Sequence, residues 1–174
     1  LSKNIVRGFT AYDLLLERRP DLRCRVSFLA CCYPSRENVP AYARYRAEVE
    51  SAVAEVNRRW GTDDWQPVLL ETDDDYPRSV AALRRYDVLL VNPVRNGLNL
   101  VAKVGPLVNE RDGTVVLSTE AGAWAELASA VMSVSPAVIS HYSGTGLGGI
   151  LLLVSAGVLP WLLPPAFGLA WLIA

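Results

Sequence analysis

The stretch "YDVLLVNPVRNGLNLVAKVGPLVNERDG", residues 86–113, decides the fold. Its first part, Asp87–Asn92, holds a continuous apolar run of the kind that forms a strand buried on both faces. Asn96-Gly97 then permits a tight turn, for which glycine's freedom at positive φ is suited. From Asn99 onward the pattern is helical, with Lys103 four residues further along the same face. A strand that hands over to a helix through such a turn leaves backbone amides pointing into a cleft. Diphosphate oxygens and sugar hydroxyls suit amides in that position. An ordinary strand–helix turn with an exposed lysine explains the same residues equally well.

The pattern continues on both sides. "KNIVRGFTAYDLLLERR" places Ile5, Phe9, Tyr12, Leu15 and Leu16 on one helical face before Pro20. "RVSFLACC" (25–32) is a short β-prone run, and "VPAYARYRAEVESAVAEVNRRW" is an amphipathic helix entered at Pro40 and ended by Gly61. "QPVLLET" (66–72) predicts a strand; "YPRSVAALRRY" predicts a short helix with Asp75 as its cap. "TVVLST" (114–119) predicts another strand and "AGAWAELASA" another helix. Strands and helices that alternate with short connections imply an α/β fold, a Rossmann-like doubly wound parallel sheet covered by helices on both faces. In such sheets ligands bind beyond the carboxyl ends of the strands, which is where residues 93–99 fall.

Composition narrows the function. Seventeen basic residues against eighteen acidic ones leave no field for a polyanion, and no basic stripe carries interleaved aromatics, so nucleic acid is not an expected partner. Cys24, Cys31 and Cys32 are odd in number and lack metal-ligand spacing. They read as small buried hydrophobes of a reducing, cytoplasmic environment. Asp73-Asp74-Asp75 reads as a solvated turn and helix cap rather than a metal site, and no cofactor motif is present. His141, the single histidine, has no serine or carboxylate partner in the sequence, which gives no support to a hydrolase. Lys3 stands at the start of the first helix, where a cation opposes the helix dipole by about 0.3–1 kcal/mol. A bound phosphate would reverse that sign, with Arg7 one turn further on the same side; position alone favours a solvated lysine. The chain begins at Leu1 with no leader-like stretch, and a helix opening at Ser2–Lys3 leads us to expect more chain upstream.

Residues 1–134 resemble trehalose-6-phosphate synthase. The likeness is collinear and dense through "SKNIVRGFTAYDLLLERRPDLR", "YPSRENVPAYARYRAEVESAVAEVNRRWGTDDWQPV" and "DDDYPRSVAALRRYDVLLVNPVRNGLNLVAKVGPLVNERDGTVVLSTEAGAWAEL". The resemblance implies the carboxyl-terminal, nucleotide-sugar-binding half of a retaining glycosyltransferase of GT-B type. Such an enzyme moves glucose from UDP-glucose to glucose 6-phosphate without a metal at the reacting centre. It would act through charge stabilisation of the leaving diphosphate and through positioning. Lys3 matches the lysine of a diphosphate clamp whose arginine would precede Leu1. The family pattern P(L/V)RDG(M/L)NLVAKE matches Pro93–Val104. It assigns Asn96, Gly97, Leu98 and Asn99 to the donor sugar, the amides of Leu100 and Val101 to the diphosphate, and position 104 to the ribose. Two carboxylates of the pattern are Asn96 and Val104 here. Asn96 keeps the size but not the charge, and Val104 accepts no hydrogen bond. The lost ribose contact is expected to weaken affinity by about 1–3 kcal/mol, up to two orders of magnitude. Glucose 6-phosphate contacts would come from an amino-terminal domain that this chain lacks, so activity is expected to be weak or absent. Alternatives are a pseudo-glycosyltransferase that couples cyclitols and a degenerate non-catalytic domain.

Beyond "VMSV" the resemblance ends. From Leu127 to Ala174 there is no Lys, Arg, Asp or Glu, and residues 146–174, "GLGGILLLVSAGVLPWLLPPAFGLAWLIA", form an apolar run broken by Pro160, Pro164 and Pro165. The run is long enough to span a bilayer, but the prolines would kink or break a helix. We read residues 135–174 as a separate tail produced by a shifted reading frame or a fusion, with membrane association of residues 146–174 as the alternative.

Overall fold

The computed structural model describes residues 2–33 and 38–136. The tail beyond Pro136, and every expectation placed on it, lies outside those residues. Five strands and five helices alternate: α1 (Ile5–Arg18), β1 (Phe28–Cys31), α2 (Pro40–Trp60), β2 (Val68–Glu71), α3 (Tyr76–Arg85), β3 (Val88–Val91), α4 (Leu100–Val108), β4 (Thr114–Ser118), α5 (Trp124–Leu127) and β5 (Met132–Val134). A single 3-10 turn, Pro20–Leu22, follows α1.

Among the described residues every pairing of these strands is parallel. β1 pairs with β2, with Phe28 opposite Val68, and β3, β4 and β5 form a second group in that order. The two groups share their packing. Phe28, Ala30 and Val68 lie in one core with Val88, Leu90, Val116 and Val134, while Cys31 packs into a second core with Leu89, Val91 and Leu117. In parallel α/β folds of this kind ligands bind at the carboxyl ends of the strands.

The helices bury the faces their periodicity predicts. In α1, Ile5, Phe9, Tyr12, Leu15 and Leu16 are buried, and in α2 the buried row is Val49, Val53 and Val56. Asp75 caps α3, its Oδ1 accepting from the Arg78 amide at 3.0 Å. Three expectations need correction. The helix over 121–130 shrinks to one turn, Trp124–Leu127, because its residues turn into β5, a strand too short for a pattern to reveal. Cys24 is exposed, at φ 60, while Cys31 is buried and Cys32 partly so. Burial pushes the Cys31 thiol up to about 11 and that of Cys32 up to about 12, so both stay protonated at neutral pH. Finally, the left-handed residue of the 93–99 connection is Asn99, at φ 49, and Gly97 is not in the left-handed region.

Candidate functional site

Two helix starts meet at the carboxyl end of β3. The Val94 amide donates to the Ser2 carbonyl at 2.9 Å, which ties the start of α1, with Lys3 beside it, to the β3–α4 connection. α1 begins after Asn4, a left-handed residue whose side chain does not cap the helix. Lys3 is partly buried, and that burial lowers its pKa from the ordinary lysine range. The first amide of α1, that of Ile5, donates to the Tyr45 hydroxyl of α2 at 3.0 Å. A partly desolvated cation beside a helix start favours an anion, since both the ammonium and the helix dipole present positive charge there.

The connection itself is fixed by backbone contacts. The Asn96 amide donates to the Glu120 carbonyl at 3.3 Å, and the Asn96 carbonyl accepts from the Gly122 amide at 3.0 Å. A Cβ on Gly122 would lie 1.7 Å from the Gly97 carbonyl oxygen, so only glycine allows this approach. Behind the loop, the buried Ser118 hydroxyl donates to the Pro93 carbonyl at 2.8 Å and accepts from the Glu120 amide at 3.1 Å. The Asn99 Oδ1 accepts from the Ala102 amide at 3.2 Å, capping α4.

The candidate residues thus fall into distinct positions. Lys3 and residues 96–101 are joined through the Ser2–Val94 bond. Asn96 is partly exposed, Gly97 and Leu98 are exposed, and Asn99 is buried as the cap. Leu100 opens α4 with its side chain outward, Val101 is half-buried, and Val104 faces outward one turn later. Lys103 is committed elsewhere, its Nζ lying 2.8 Å from both Glu126 oxygens across the α4–α5 gap. Two residues went unnoticed in the sequence. Asn92, 1% exposed, has no partner for either side-chain atom, and the buried Asn4 has none for its Nδ2, among the described residues. Buried amides without a partner are costly, by about 1–3 kcal/mol each. The available signal for Asn92 was a polar residue closing an otherwise apolar strand.

This is the Rossmann-like fold of a GT-B glycosyltransferase, and solved trehalose-phosphate synthases share it. A UDP-forming α,α-trehalose-phosphate synthase from Burkholderia xenovorans, in complex with glucose-6-phosphate, superimposes with a TM-score of 0.77 at 33% identity, covering 87% of this chain and 33% of that one. An E. coli trehalose-6-phosphate structure bound with UDP-2-fluoro glucose gives a TM-score of 0.76 at 31% identity, covering 87% and 33%. The glycosyltransferase family 20 pattern matches residues 1–145, and the chain belongs to that family. Among curated relatives, the validamine 7-phosphate valienyltransferase of Streptomyces hygroscopicus subsp. jinggangensis is 43% identical over 134 residues, 77% of this chain and 26% of the relative. The trehalose-6-phosphate synthase of Klebsiella pneumoniae is 36% identical over 134 residues, 75% of this chain and 28% of the relative. The chain therefore spans about a quarter of the length of the curated relatives it matches.

Proposed function

We propose that this chain is the nucleotide-sugar-binding part of a trehalose-6-phosphate synthase-like glycosyltransferase, with UDP-glucose or a related nucleotide sugar as donor and glucose 6-phosphate as acceptor. The observation that carries this reading is the Ser2–Val94 bond, which brings Lys3 and the starts of two helices to one corner. In this reading Lys3 and the amides of Leu100 and Val101 face the diphosphate. Asn96, Gly97, Leu98 and Asn99 form the wall beside the sugar, Asn99 by holding the turn, and position 104 lies against the ribose. The bond from the sugar's C1 to the diphosphate breaks as a bond to the acceptor hydroxyl forms on the same face, and the hydroxyl proton passes to the leaving diphosphate oxygen. Positive charge at the diphosphate stabilises that departure. The ligands bound in two solved relatives, UDP-2-fluoro glucose and glucose-6-phosphate, support this pairing of substrates. In this reading the acceptor is held by a part of the protein outside the quarter that this chain spans.

Titration calorimetry with UDP tests the reading. Weak binding is expected for the chain as it stands, and up to about a hundredfold tighter binding for the Asn96→Asp/Val104→Glu double variant. Silence from both proteins at roughly millimolar UDP, concentrations at which even binding worth about 4 kcal/mol is detected, would remove the donor assignment.

A second reading has its own observation. Identity is higher to the valienyltransferase than to the Klebsiella synthase, 43% against 36% over equal lengths, which favours a cyclitol donor. A donor comparison in a chain joined to the missing half, GDP-valienol against UDP-glucose, separates the two by which one is consumed.

A further inference from the structure

We propose that Asn96 modifies itself: its carboxamide condenses with the Gly97 amide, ammonia leaves, and hydrolysis installs a carboxylate at position 96. Asn96 is the one asparagine in the chain that is followed by glycine. The reaction needs a following residue with no side chain to block the approach, an amide nitrogen not held by an acceptor, and a carboxamide free to turn. Gly97 is exposed, and nothing lies within 4 Å of the place a Cβ would take. Among the described residues its amide donates to no acceptor, and the partly exposed Asn96 carboxamide makes no hydrogen bond. Every other asparagine fails one of these conditions. Asn92 precedes Pro93, which has no amide hydrogen. Asn4 and Asn38 precede the β-branched Ile5 and Val39. The carboxamides of Asn57, Asn99 and Asn109 are held by main-chain groups.

The Gly97 nitrogen, having given its proton to solvent, attacks Asn96 Cγ. A C–N bond forms, the Cγ–Nδ2 bond breaks, and ammonia departs with a proton returned by solvent. The five-membered imide then takes up one water. Opening at Cγ leaves aspartate, and opening at the main-chain carbonyl leaves isoaspartate. One water enters and one ammonia leaves, and nothing is oxidised or reduced. The fold separates the two products. The Asn96 amide and carbonyl are bonded to Glu120 and Gly122, a frame that aspartate keeps. Isoaspartate turns that carbonyl into the free carboxylate and lengthens the main chain by one carbon, in a loop whose Gly97 carbonyl already crowds Gly122. Aspartate is therefore the product that the folded loop holds. The consequence rests on the proposed donor site: a carboxylate there accepts charge-assisted bonds from sugar hydroxyls, where the neutral amide offers weaker ones.

The test incubates the full chain at mildly alkaline pH, folded and in urea, and follows residues 96–103 by proteolysis and tandem mass spectrometry. Conversion adds about 1 Da at position 96, with Asn99 in the same peptide as the internal control. The folded rate is expected within about tenfold of the unfolded rate, as for a segment that opens at little cost. A slower folded rate, or equal conversion at Asn99, overturns the proposal. Gly97→Val, whose side chain meets open space, is expected to slow conversion at least about tenfold, and an unchanged rate also overturns it. The aspartate-bearing protein is expected to bind UDP-glucose about fivefold more tightly than fresh protein, with UDP alone bound equally. Conversion without that gain leaves the modification standing and removes position 96 from the donor wall, so the two failures are told apart.

Discussion

Around β1 and β2 the structure is held by side chains, and around β3, β4 and β5 the end that bears the candidate site is held by backbone. In the first region Phe28 takes the edges of Phe9 and Tyr12 at centroid distances of 5.1 and 5.4 Å. The Tyr12 hydroxyl donates to the Val26 carbonyl at 2.9 Å, and the Asn57 carboxamide bridges the amide and carbonyl of Val68 at 2.8 and 2.9 Å. Arg59 joins α2 to Asp13 and Glu17 of α1. In the second region the loops meet main chain against main chain, Asn96 with Glu120 and Gly122 and Val94 with Ser2, with the Ser118 hydroxyl behind them as the one side chain that bonds both connections. A scaffold made of side chains fails when atoms are removed. A loop made of backbone approaches fails when atoms are added.

The largest expected effect breaks the first region. Phe28→Ala removes a fully buried ring between two aromatic neighbours and is expected to cost about 3–5 kcal/mol in urea unfolding. Nucleotide affinity per folded molecule should not change. A loss under about 1 kcal/mol would mean the core collapses around the gap and is not keyed to that ring.

Gly122→Ala attacks the second region by addition. The new methyl overlaps the Gly97 carbonyl oxygen, which is main chain and has no rotamer to turn aside. The loop 96–97 must shift, at a cost of about 1–3 kcal/mol. Unlike Phe28→Ala, this variant is expected to weaken UDP binding as well as stability, because the displaced segment is the proposed sugar wall. Calorimetry showing unchanged binding alongside a lowered Tm would detach the loop geometry from the site.

The same division explains what the sequence made legible. Helices α1 and α2 bury long apolar rows with period 3.6, so their faces and limits could be read directly, as could Pro40 and Asp75 at their helix starts. The parallel α/β architecture followed from their alternation with apolar runs such as Val88–Val91. The candidate site was legible only through a resemblance. Spacing showed an Asn-Gly turn, but the strained residue is Asn99, and the residue that cannot bear a side chain is Gly122, in the next connection. Nothing in a local pattern reports which carbonyl will lie against a glycine from another loop. Lys103 shows the same limit: helical spacing aligned it with Asn99, while its partner Glu126 comes from α5.

The smallest expected effect sharpens the comparison through charge. In the first region Arg59 and its two carboxylates lie at the surface, where solvent screening leaves such pairs little to contribute. In the second, Asp87 is 8% exposed, with Oδ1 3.1 Å from Arg111 Nε and no described partner for Oδ2. Burial raises its pKa from the ordinary aspartate value, and Arg111 only partly opposes that. A carboxyl whose pKa is raised by folding favours the native state while protonated, and that contribution is lost as pH rises through the folded pKa. At pH 7 the ionised Asp87 therefore weighs against the fold. Asp87→Asn is expected to leave the Tm at pH 7 unchanged or higher, with the difference from the parent shrinking as pH falls through the acid range. If the variant instead loses about 3 kcal/mol or more at pH 7, the pair with the partly buried Arg111 is a structural bond that outweighs the cost of burying Asp87. The far end of β3 from the candidate site would then rest on a side-chain contact, as the first region does.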